Sequence, residues 1–111
     1  MTPGPLARCL RMAALIAALA LGGVAALVGW GLYANQRAAD AARDFCALSP
    51  VGSAAAEAIA RADAAGLRQV PTREPEGRDV YFQGWVFNAA VCHIDIQKGR
   101  VAATATRMEG D

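Results

Sequence analysis

Residues 12–34 form a run of 23 positions without a single charge, and nothing else in the chain constrains its fold so much. At 1.5 Å rise per residue, a helix of that length reaches roughly 34 Å, enough to cross a hydrocarbon core of about 30 Å. A secretory signal has a shorter apolar region, of about 7–15 residues, ending in a small-x-small cleavage site. Ala18-Leu19-Ala20 comes too early for that role, because apolar sequence continues well past it. Leu32-Tyr33-Ala34 puts a bulky Leu where a small residue is required, and Gly29-Trp30-Gly31 has no strong turn signal around it. The run reads as a retained single-pass anchor.

The flanks give an orientation. Arg8 and Arg11 precede the run with no acidic residue among them, whereas Arg37 and Arg43 follow it interleaved with Asp40 and Asp44. The positive-inside rule then puts the amino terminus in the cytoplasm, with Trp30 and Tyr33 in the aromatic belt of the outer interface. The expected organisation is a cytoplasmic stretch (1–11), a transmembrane helix (12–34), a membrane-proximal helical stalk (35–48) and a small exported domain (49–111). In a bacterium this is an inner-membrane protein with a periplasmic domain. Ala14, Ala18, Gly22 and Ala26 recur every fourth residue and make a small-residue face of the kind that lets helix backbones pack closely, which suggests a homo-oligomer or a membrane-complex partner. Alanine fills 27 of the 111 positions, so such a face also arises from composition alone.

Beyond the anchor, Ala38, Ala41, Ala42, Phe45 and Leu48 keep helical spacing until Ser49-Pro50-Val51-Gly52 breaks it. A second helix is expected over 54–65, with Ser53 as N-cap, a Glu57–Arg61 pair and Gly66 as terminator. Its apolar side chains are almost all alanine, so it must pack close to its neighbour. "GLRQV" can supply a short edge strand, and residues 71–78 read as a polar loop. Residues 80–87, 91–96 and 100–106 then read as strands separated by Asn88-Ala89-Ala90 and Gln97-Lys98-Gly99. The fold class expected is α+β: the transmembrane helix, then one helix packed on a three-stranded antiparallel meander. A loop at Lys98-Gly99 pairs Ile96 with Val101, Ile94 with Ala103 and Cys92 with Ala105. The register of the first hairpin stays open: one loop length turns Tyr81 and Trp85 inward, the other Phe82 and Val86.

Either way the segment 80–87 is apolar on both faces, and a single covering helix buries only one of them. Tyr81, Phe82, Trp85 and Phe87 are therefore the candidate partner-binding residues, against a protein, the membrane-proximal helix or the bilayer surface.

Three cysteines are present. Cys9 lies on the cytoplasmic side and is expected to be a free thiol. Cys46 and Cys92 both fall in the exported part, where thiols are oxidised, and are expected to form a disulfide. A bridge across a loop of that length contributes about 4 kcal/mol on the chain-entropy estimate, a large share for so thin a core. Cys92-His93 is not a nucleophile–base pair, since neighbours on a strand point to opposite faces. His93 is the only histidine, and with Asp95 it gives too few ligands for a metal. Neither a cofactor motif nor a small-molecule substrate site is evident. With eleven basic against ten acidic residues, a nucleic-acid partner is disfavoured.

The order of helix and strands over residues 50–108, opening with "VGSAAAEAIARADAAG", resembles the small envelope domains of the SmpA/OmlA outer-membrane assembly lipoprotein type. There, too, a Gly and an acidic residue five positions on begin the helix, here Gly52 and Glu57. The chain departs from that pattern in having no lipidation cysteine after its apolar run and one helix where the family has two. The resemblance implies a scaffolding role in the envelope. The expected function is a membrane-anchored, non-enzymatic interaction module, an accessory subunit or scaffold. The alternative is a small exported ligand-binding or inhibitor domain that uses residues 80–87.

Overall fold

The computed structural model describes residues 4–74 and 76–110. The uncharged run is helical throughout but forms only the middle of a longer element, α1, which spans Pro5–Ala47. From residue 32 to residue 47 the chain contains neither proline nor glycine and is rich in alanine, so nothing local stops the helix before Ser49-Pro50. One helix near the amino terminus is thus long and apolar enough to cross a membrane, with a mean hydropathy of 2.3 over its best window. The chain divides into two compact units: the first ends at Gly31 and the second begins at Leu32.

The second unit is α+β. After the end of α1 come α2 (Ala55–Ala64) and the strands β1 (Arg68–Arg73), β2 (Glu76–Gln83), β3 (Asn88–Gln97) and β4 (Arg100–Gly110). They form one antiparallel sheet in the order β1-β2-β3-β4. The sheet has four strands where three were expected, because the stretch read as a polar loop is itself a hairpin, with Arg68 paired to Tyr81 and Arg73 to Glu76.

The second strand is also displaced from its expected place. It ends at Gln83, which pairs with Ala89, so Trp85, Val86 and Phe87 are the turn and Asn88-Ala89-Ala90 are already strand. Gly84 donates its N–H to the Asn88 carbonyl at 2.9 Å, and Asn88 donates to the Trp85 carbonyl at 2.7 Å. In the last hairpin Ile96 pairs with Val101 as expected, but a bulge at Asp95/Ile96 shifts the rest. Ile94 meets Thr104 and Cys92 meets Thr106, because the extra residue of a bulge changes every pairing beyond it.

Ser53 is not the cap of α2. Its hydroxyl donates to the Pro50 carbonyl, and the N-cap position is Ala54, which makes no side-chain cap bond. The backbone there is occupied with the last hairpin instead. Ala54 bridges Arg100, the Ala55 N–H donates to the Gly99 carbonyl at 3.0 Å, and the Val101 N–H donates to the Ser53 carbonyl at 2.9 Å. The β3–β4 turn therefore takes up one of the amide donors that the first turn of a helix leaves unpaired.

The core lies between the helices and one face of the sheet. Ala38, Ala42, Phe45 and Cys46 come from α1, Ala58 and Ala62 from α2, and Val80, Cys92, Ile94 and Val101 from the strands. Residues 38–46, read from sequence as part of a stalk, thus supply core side chains. The helical contribution is mostly methyl-sized, which lets backbone come near backbone; larger volume comes from Phe45, whose ring lies 5.7 Å from that of Phe82. Cys46 and Cys92 are joined by a disulfide with Cα atoms 5.8 Å apart, tying α1 to the second-last strand. Ser49, buried just past α1, accepts a hydrogen bond from Arg61 at 2.7 Å, linking the two helices.

Candidate functional site

Strand pairing puts Asp79, His93 and Ala105 in one row across the sheet, on the face turned away from the helices, with Tyr81, Val91 and Arg107 in the next. Charge concentrates in these rows. One Asp79 carboxylate oxygen lies 2.5 Å from His93 Nδ1 and the other 2.7 Å from an Arg107 nitrogen, which also reaches Glu109 at 2.8 Å. Asp79 is buried, His93 is partly buried, and Arg107 and Glu109 are about half open to solvent. Burial works against an ionised Asp79, but the hydrogen bonds and charges of Arg107 and His93 outweigh it and hold the carboxyl below its ordinary value. The same bonds from Asp79 and Glu109 keep the Arg107 guanidinium firmly charged.

Burial, followed by the nearby negative charges of Glu109 and Asp79, pushes the Tyr81 hydroxyl up. Arg68 lies over the Tyr81 ring at 4.8 Å. Tyr81, Arg68 and Glu109 line an open cavity of about 340 Å³ together with Val86 and Phe87. The cluster binds charge to charge within the protein. His93 Nε2 is buried and without a hydrogen-bond partner among the described residues. Among the described residues, no group of three His, Cys, Asp or Glu comes together in a way that could hold a metal.

The second feature is the β2–β3 turn. Trp85, Val86 and Phe87 follow one another with no charge among them, and Val86 and Phe87 are 62 % and 70 % exposed. The turn is fixed to α1, since the Trp85 N–H donates to Asn35 Oδ1 at 2.9 Å. Gly84 fits closely beside it: a Cβ there would crowd the same Asn35 oxygen and the Asn88 carbonyl.

The four aromatic residues singled out from sequence do not share a face. Phe82 is in the core against Phe45, Tyr81 is on the charged face under Arg68, and Trp85 and Phe87 are in the turn. Ala14, Ala18, Gly22 and Ala26 all lie on α1 and are exposed, with open space where a Gly22 side chain would be. Cys9 is an exposed free thiol. His93 turns to Asp79 on the neighbouring strand instead of to Asp95. Asp79 and Arg107 were missed from sequence because they are 28 residues apart and meet only through the β2–β3–β4 register. No protein-family model, curated protein or solved structure matches the chain.

Proposed function

We propose that this chain is a single-pass, non-catalytic interaction module: an accessory subunit or scaffold anchored in a bacterial inner membrane, with its amino terminus in the cytoplasm and its α+β domain in the periplasm. The observation that carries this reading is the use of one helix for two purposes. The element that holds the uncharged run also supplies Ala38, Ala42, Phe45 and Cys46 to the domain core. The continuity of that helix from the uncharged run into the core favours a role performed at the membrane over one performed by a released binding domain. The Cys46–Cys92 bridge supports an oxidising compartment for the domain, and Arg8 and Arg11 support the orientation.

The alternative, ligand capture by an aromatic strand, loses its main support because Tyr81, Phe82, Trp85 and Phe87 are divided among three surroundings. Association through the Ala14–Ala18–Gly22–Ala26 face belongs to the same reading, and Gly22→Leu should weaken self-association in a membrane-helix assay if that face is used. The decisive experiment is a pull-down in mild detergent with the intact chain and with residues 12–34 replaced by an unrelated apolar helix. Partners retained by the intact chain and reduced by the replacement support a membrane-complex subunit. A disulfide that stays reduced in cells, or a domain accessible only from the cytoplasmic side, would overturn the placement.

A further inference from the structure

The β2–β3 turn offers a consecutive Trp-Val-Phe to solvent, and its place along α1 says what meets it. Three points fix how β3 runs beside the helix. Cys92 is bonded to Cys46, Ala90 shares a surface pocket with Ala39 and Ala42, and Asn88 shares one with Asn35 and Leu32. Going from residue 92 back to residue 88 covers about 13 Å of strand. Going from residue 46 back to residue 35 covers about 16 Å of helix. The two elements therefore descend side by side, and the strand reaches its first residue where the helix reaches Asn35, immediately after the apolar run ends at Ala34. The turn lies one step further in the same direction. Its backbone is held there by the Asn35 side chain, so its position is set by the fold.

We infer that Trp85, Val86 and Phe87 form a second membrane contact, seated in the headgroup region of the bilayer beside α1. This inference rests on the anchor reading above and adds to it which end of the domain faces lipid. The chemistry suits that place. Tryptophan is favoured at the interface, where its amphipathic ring spans wet and dry layers, and Val86 and Phe87 are large apolar side chains otherwise left in water. The opposite rim of the sheet has the reverse character: its β3–β4 turn is Gln97, Lys98, Gly99 and Arg100. The β2–β3 turn is apolar and follows the end of the anchor, with the charged Arg68 and Glu109 beside it, and the β3–β4 turn is polar.

The test uses the full chain in vesicles of phosphatidylcholine and phosphatidylglycerol, with lipids brominated near the headgroup as quenchers. Trp30→Phe leaves Trp85 as the sole tryptophan, and Trp85→Phe leaves Trp30 as the control in the anchor. Trp85 emission is expected to be roughly halved by the brominated lipid and little affected by aqueous acrylamide, as for an interfacial tryptophan. Val86→Asp, at an exposed position outside the core, should reverse both responses while the Cys46–Cys92 bridge still forms. Trp30 quenched by lipid while Trp85 is quenched only by acrylamide overturns the turn contact and leaves the anchor standing. Trp85 shielded from both quenchers assigns the turn to a protein surface and equally overturns the inference. Failure of lipid to quench Trp30 overturns the anchor and the turn contact together.

Discussion

Where helices cover the sheet, Val80, Cys92 and Ile94 meet Ala42, Ala58, Ala62 and Phe45; on the bare side, Asp79, His93 and Arg107 meet one another. The covered face is held by apolar burial and a covalent bond, neither of which responds to salt or to moderate acid. The bare face is held by charge, in a setting where Arg107 is only half shielded from water, so part of its attraction to Asp79 is screened. A sheet of four strands with one layer of alanine-rich helix has little apolar area to spend on its second face. Paired charges let that face close over Asp79 and Val91, both buried, without a second layer.

The largest expected effect comes from removing the bond on the covered face. Reduction of the intact chain in detergent, or the double variant Cys46→Ser with Cys92→Ser, should lower unfolding stability by about 4 kcal/mol, the chain-entropy value for a loop of this length. Chemical denaturation of oxidised and reduced protein measures it, and a loss below that from charge removal on the bare face would break the comparison. Next comes close packing. Ala42 is completely buried, so Ala42→Leu should cost about 1–3 kcal/mol by forcing α1 from the sheet. Full tolerance of leucine there would mean that the interface is loose.

The smallest effect, and the one that separates the faces by mechanism, is Asp79→Asn. The substitution should cost about 1–2 kcal/mol at neutral pH, the range for a hydrogen bond to a charged group with one half-exposed partner. Because the folded carboxyl is held below its ordinary 3.8, the folded state binds fewer protons than the unfolded one, and the stabilisation is fully present above that value. It fades as pH falls through 3.8 towards the lower folded value, so parent and variant should converge in acid. Denaturation midpoints from pH 7 down to pH 3 test this, and a difference that persists unchanged in acid would remove charge as the cause.

Much of the covered face was legible in the sequence, for a physical reason. Alanine at helical spacing, an apolar phase on the strands and two cysteines beyond the apolar run are local signals that agree with one another. The Lys98-Gly99 turn set Ile96 opposite Val101, and Gly66 ended α2 in a left-handed conformation (φ +67°). The misplaced strand has an equally physical cause. Trp85 and Phe87 have strong β propensity, whereas Gly77, Arg78 and Asp79 have little. Propensity alone slid the strand toward the aromatics, and pairing with β1 and β3 put it back. The Asp95/Ile96 bulge carried no signature that could be read beforehand, and the place of Arg107 beside Asp79 depends on the β3–β4 register beyond it. Asp79, at the edge of a presumed loop, gave no hint of its partners.

The bond between Cys46 and Cys92 also imposes an order on the making of the molecule. Half of the linkage is synthesised early, on the first helix, and then waits through more than forty residues of translation for its mate. A nascent chain that has just completed α2 already contains the whole helical layer, with a reactive sulfur on the side meant for a sheet that does not yet exist. The native bridge consequently cannot close until β3 has been made, and any earlier oxidation of Cys46 gives a cross-link other than this one.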